Sequence, residues 1–133
     1  MDTRASLVDL QQALEPNECI TDPAICEVFS SDVYSRGIRV AAVLRPRNKQ
    51  RLAHMIAAAG HAGFATVTRG GGLTYTGGYL AAHERVVAID TSALNRIIKI
   101  SPDDLYITVE AGVTWKQIYE ALAPLGLRLP FFG

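Results

Sequence analysis

The sequence predicts an α+β fold, a mixed sheet flanked by helices, and three observations carry that reading. Three short apolar runs, residues 40–44, 64–67 and 86–89, have the length and the Val/Ala/Ile content of strands. Between the first two, and again after residue 113, apolar residues recur at helical spacing. Two β-branched runs, residues 96–100 and 105–109, flank Ser101-Pro102-Asp103-Asp104, whose turn chemistry predicts a hairpin.

Taken in order, Ser6 is placed to cap a short helix with Leu7, Leu10 and Leu14 on one face, and Pro16 stops it. Residues 17–37 read as irregular, with a weak helical signal over residues 24–29. Pro46 ends the first strand, and Asn48 caps a helix whose apolar face is Leu52, Met55, Ile56 and Ala59. Gly60 and Gly63 end that helix, and residues 64–67 form the second strand. The third strand is followed by the hairpin. Thr114 and Gln117 then make a capping box, with Val113 and Ile118 as a hydrophobic staple. The last helix turns Ile118, Ala121, Leu122 and Leu125 inward and ends near Gly126. All strands are expected in one sheet.

At 133 residues the chain is about one domain, and 49% hydrophobic content makes it a folding sequence. Thirteen basic and thirteen acidic residues cancel, and no basic stripe is present. That balance argues against nucleic acid or an anionic membrane surface as a partner. No signal peptide or transmembrane stretch is legible, so the cytoplasm is the default location. Cys19 and Cys26 fit neither a CxxC nor a paired zinc spacing and read as reduced, mostly buried thiols. The chain ends on apolar residues, Leu127 to Phe132, with no following element to cover them. That ending predicts a chain cut before its fold is finished.

The most informative segment follows the second strand: Arg69-Gly70-Gly71-Gly72-Leu73-Thr74-Tyr75-Thr76-Gly77-Gly78. Glycine runs give up backbone entropy on folding, so an ordered one exists to let backbone approach something closely. Without Cβ atoms, successive N–H groups can converge on an anion. Thr74 and Thr76 add hydroxyls and Arg69 a fixed charge, which points to a phosphate or pyrophosphate cradle. The segment is not a Walker A loop, because Gly78 and Tyr79 stand where lysine and a hydroxyl residue belong. Nor is it a Rossmann fingerprint, since Tyr75 occupies the last glycine and strand, not helix, follows. Loop amides alone would hold the anion. The competing reading is a flexible surface connection.

Other chemistry-bearing residues read more plainly. His54 and His61 lie on one helix face without further ligands and read as solvated; His83 reads as a surface residue. Asp103 and Asp104 are turn residues, and Asp90 at a strand end is expected to accept from the Thr91 and Ser92 amides. Arg45 and Arg69 are candidates to neutralise a diphosphate, Arg69 the stronger by contiguity. Tyr75 and Tyr79 either pack on a ligand or cover the sheet edge, and Trp115 reads as core. No nucleophile–base–orienter set is present.

Residues 67–78 resemble the pyrophosphate loop of the PCMH-type FAD-binding domain of the vanillyl-alcohol oxidase and p-cresol methylhydroxylase flavoproteins. Glycolate oxidase subunits and D-lactate dehydrogenases are among them. The resemblance extends to Val43-Leu44-Arg45-Pro46, Lys49-Gln50-Arg51-Leu52, Val87-Ala88-Ile89-Asp90, Leu94-Asn95-Arg96-Ile97 and residues 109–115. It implies an FAD-dependent oxidoreductase in which a hydroxy acid or alcohol gives a hydride to FAD. It further implies Arg69, Gly70, Gly71, Gly72, Leu73, Thr74, Tyr75, Thr76, Gly77 and Gly78 as cofactor-binding residues, with the amides of residues 71–74 as main donors. Some members attach FAD through a loop histidine; Leu73 stands at that position, which implies non-covalent binding here. Residues 1–31 read as a helical lead-in and 32–133 as the N-terminal half of the FAD-binding domain. The substrate pocket would lie outside this sequence, so the chain alone is expected to bind FAD weakly or not at all and to be inactive. The alternatives are a non-enzymatic folded fragment whose Pro130-Phe131-Phe132 end drives self-association or docking on a partner, and a phosphate- or nucleotide-binding domain unrelated to flavin.

Overall fold

A computed structural model of the protein describes residues 3–131. The fold is mixed α/β. Four helices, α1 (Thr3–Gln12), α2 (Pro23–Val28), α3 (Lys49–His61) and α4 (Trp115–Leu122), accompany six strands. These are β1 (Cys19–Ile20), β2 (Ala42–Leu44), β3 (Ala65–Arg69), β4 (Val86–Asp90), β5 (Ile97–Ser101) and β6 (Tyr106–Val109). The first four form one sheet in the order β1-β2-β4-β3. β2 and β3 both run parallel to the central β4, and β1 pairs antiparallel with β2.

All five residues of β4 are buried, as expected for a strand covered on both faces. Alternation along the strands sorts the core in two. Ala42, Leu44 and Val87 face α1 and α3, packing on Leu10, Leu14, Met55, Ala58 and Ala59. Val43, Val86 and Ala88 face the other way, toward Cys26 of α2, Val40 and Ala81. An ion pair with a buried carboxylate fastens the edge of the first layer: Glu18, 1% exposed, accepts from Arg51 Nε at 2.6 Å and from Arg51 Nη2, on a half-buried arginine.

Several expectations are corrected by packing. Ser6 lies inside α1, buried, with Arg85 Nη2 donating to its Oγ at 3.2 Å. Residues 17–37 contain both β1 and α2; Asp22 caps α2 by accepting the amides of Ala24 and Ile25. On α3, Asn48 is the cap, but Ile56 turns to solvent and Ala58 takes its place in the core. On α4 the capping box is present, whereas Leu125 lies exposed in a short 3-10 turn, Ala123–Leu125, closed by left-handed Gly126.

The largest difference concerns the hairpin. β5 and β6 pair only with each other, as a separate two-stranded sheet. β4 already has a neighbour on each side, so the chain leaving it finds no adjacent slot. Of the apolar C-terminal residues, Leu127 and Leu129 are half-buried near Ile100, Ile107 and Leu122 of the hairpin and α4. Phe131 is exposed, and Phe132 and Gly133 lie outside the described residues.

Candidate functional site

Because β3 and β4 are parallel and in register, their C-terminal ends leave the sheet together at Arg69 and Asp90. Ligand crevices of parallel sheets open at that edge, where chains diverge. Here residues 70–74 follow β3 and Thr91-Ser92 follow β4, and a cleft of about 670 Å³ opens between them and residues 111–115.

The third wall is held by one close backbone approach. Gly112 donates its N–H to Leu94 O at 2.8 Å, and Leu94 N–H donates to Thr91 O at 2.9 Å. A Cβ on Gly112 would stand 1.9 Å from Thr91 O, so only glycine lets residues 111–115 lie against the end of β4. The N-terminus of α4 thereby borders the cleft, with Thr114 and Trp115 in its wall. Trp115 is 45% exposed, which corrects its assignment to the core.

The glycine loop is shaped at two left-handed positions, Gly72 (φ 77°) and Gly77 (φ 68°). Arg69 fills the space beside the first: its Nη2 lies 2.6 Å from where a Gly72 Cβ would project. The same guanidinium donates to Val28 O and stacks over the rings of Phe29 and Tyr79, at 4.8 and 5.2 Å from their centroids. Tyr79 is buried, and its hydroxyl reaches Gly72 O at 3.0 Å. Tyr75 is exposed and meets the ring of Tyr34 at 5.7 Å. The far limb is tied as well: Gly77 N–H donates to Asp32 Oδ2 at 3.0 Å, and Thr76 N–H to Thr74 Oγ1 at 3.4 Å.

The near limb differs. Among the described residues, the N–H groups of Gly70, Gly71, Gly72, Leu73 and Thr74 donate to no protein acceptor. Both threonine hydroxyls remain nearby, 3.2 Å from each other. Among the described residues, no carboxylate lines the cleft. Unpaired backbone donors beside an acid-free concavity favour an anion.

Asp90 does not oppose this, because its charge is neutralised locally. Its Oδ1 accepts Ser92 N–H at 2.9 Å and its Oδ2 accepts Arg45 Nε at 2.6 Å, while the Thr91 N–H goes to Arg69 O instead. Burial alone would raise the Asp90 carboxyl, and the hydrogen bonds from Ser92 and Arg45 outweigh it and lower it. Arg45 is thus committed to Asp90, a partnership that strand-end position alone did not indicate. His54 Nε2 lies 3.0 Å from Ala13 O, and His83 Nδ1 accepts Arg85 N–H, both away from the cleft. The missed contributor is Asp32, whose Asp-x-Tyr-Ser turn signature was legible as a turn but not as a loop partner.

A family model described as "FAD binding domain" matches residues 40–133. Among curated proteins, the probable L-gulonolactone oxidase 4 of Arabidopsis thaliana is 30% identical over 130 residues, covering 88% of this chain and 21% of that protein. Among solved structures, p-cresol methylhydroxylase with substrate bound superposes with a TM-score of 0.76 at 19% identity, over 93% of this chain and 25% of that one. Alkyldihydroxyacetonephosphate synthase gives a TM-score of 0.77 at 13% identity, over 97% of this chain and 28% of that one. The chain therefore spans between 21% and 28% of the length of these three proteins.

Proposed function

This chain belongs to the FAD binding domain family of flavin-dependent oxidoreductases, and from that premise we propose that its cleft holds the FAD pyrophosphate. The observation that carries the reading is the row of unpaired amides from Gly70 to Thr74, beside a cleft that no acidic group among the described residues lines, at the end of two parallel strands. Gly71, Gly72, Leu73 and Thr74 would supply the main donors, with Thr76, Gly77 and Gly78 closing the loop. Arg69 contributes its positive charge from behind Gly72, and Tyr75 and Tyr79 flank the cradle. When bound, FAD supplies the hydride-accepting chemistry, and the protein supplies position and electrostatics. The Leu73 side chain is exposed and carries no nucleophile, which supports non-covalent binding at this loop.

The donor is proposed to be a hydroxy acid or alcohol, acted on by groups beyond the cleft described here. This chain alone accordingly binds FAD weakly and turns nothing over. Trp115, the single tryptophan of the sequence, lies in the cleft wall and reports on binding. Titrating the purified chain with FAD should give weak, saturable quenching of Trp115 emission. No quenching at any concentration overturns the site, and tight stoichiometric quenching overturns the weak binding. Preference for ATP or inorganic phosphate over FAD would favour a general phosphate-binding module. Self-association rests on the exposed side chains of Ile98, Leu105, Tyr119, Leu125 and Phe131, and oligomers without FAD response would favour it.

A further inference from the structure

The glycine loop offers two sets of backbone donors, and a residue 45 positions upstream occupies one of them. Asp32 Oδ1 accepts the N–H groups of Tyr34 at 2.8 Å and Ser35 at 2.6 Å, forming a tight turn. Its Oδ2 accepts the N–H of Gly77 at 3.0 Å. Residues 31–36 touch the loop once more, through the Tyr34–Tyr75 ring contact, and Ser31 O lies 3.3 Å from the hydroxyl of Tyr79, the residue that follows the loop. One carboxylate thus joins a turn from early in the chain to the far limb of the loop. The near limb keeps its amides free for an external anion.

We infer that Asp32 is a positioning residue of the cofactor loop: by fixing the Gly77 limb it holds the amides of residues 70–74 toward the cleft. The inference rests on the reading of that cleft as the FAD site. An untethered loop of five glycines must lose its conformational freedom when the ligand arrives, and a tethered one has already lost much of it. The carboxylate suits the task because it has acceptor capacity on both oxygens at once, one for the turn and one for the loop.

Asp32→Ala removes both functions. Asp32→Asn separates them, since its oxygen can still accept Tyr34 and Ser35 while its NH2 group meets the Gly77 N–H donor to donor. The test uses the full 133-residue chain, labelled with ¹⁵N, with amide shifts, amide exchange, FAD titration and Tm measured together. For Asp32→Asn, Tm is expected within about 2 °C of the parent, as for a surface substitution. Gly77 N–H should exchange faster, the Gly71 to Thr74 resonances should move, and FAD affinity should fall about tenfold as the loop's ordering cost returns. Unchanged Gly71 to Thr74 resonances in Asp32→Asn, or unchanged FAD affinity where the parent binds, overturn the inference. A parent chain that shows no FAD response removes the FAD reading alone, and the resonances of Gly71 to Thr74 then decide the role of Asp32.

Discussion

A methyl group on Gly112 would sit 1.9 Å from Thr91 O and 2.9 Å from Leu94 O, both backbone atoms that cannot swing aside. Gly112→Ala is therefore expected to cost about 3 kcal/mol and to push residues 111–115 off the end of β4. Urea unfolding measures the first effect, and an altered Trp115 emission spectrum the second. Nothing in the local sequence marks Gly112 as tighter than Gly71, whose Cβ position is open; only the approach of another segment distinguishes them. The arginines teach the same lesson. Arg45 and Arg69 are legible as charges near the loop, yet Asp90 claims the first, and Val28, Phe29 and Tyr79 surround the second. Burial pushes the Cys19 thiol up to about 11, with Cys26 adding to it, and burial raises the Cys26 thiol as well.

Among the elements, the hairpin shows where local signals suffice and where they stop. Its two β-branched runs and its Pro-Asp turn indicate the pairing of β5 with β6, and Ser101 Oγ donates to Asp104 Oδ2 at 2.7 Å across the turn. They do not show that Leu105 would carry the left-handed backbone (φ 55°) that closes it. A leucine there bears a steric cost of about 1–2 kcal/mol that glycine avoids, less glycine's greater entropy loss. Leu105→Gly is thus expected to stabilise the chain by about 0.5–1 kcal/mol, read as a raised urea midpoint. The caps were more legible. Asn48 accepts Arg51 N–H at 2.8 Å, and Thr114 and Gln117 form their box, because capping involves residues three apart. Ile56 and Leu125 failed as core residues because helical spacing gives a stripe, while the width of that stripe depends on the neighbouring layer.

At the scale of the whole molecule, carboxylates set the response to acid. The Arg51 hydrogen bond, against burial, holds Glu18 below its ordinary 4.5. Backbone N–H groups of Tyr34 and Ser35 lower Asp32, and the Arg96 side chain lowers Glu110. A lowered folded pKa means the unfolded chain takes up protons first as pH falls. Stability from Glu18 is then complete above about pH 4.5 and is lost as pH drops through the folded value. Glu18→Gln, which leaves Arg51 without its counter-charge, is expected to cost about 3 kcal/mol at pH 7. The gap to the parent should narrow below pH 4.5, measured by urea unfolding across pH. The sequence alone determined strands β2 to β6, the caps of α3 and α4, the dense glycine loop and, through that loop and its flanking motifs, the flavoprotein family, but neither β1 nor α2. Those are properties of neighbouring residues, carried by periodicity, turn chemistry and backbone freedom. Tertiary structure decided that the hairpin stands apart from the main sheet, that Trp115 faces a cleft, and that Asp32 grips the loop from 45 residues away. Each of these joins segments distant along the chain, and a partner's identity is set by which backbone and side-chain groups packing brings within hydrogen-bond reach.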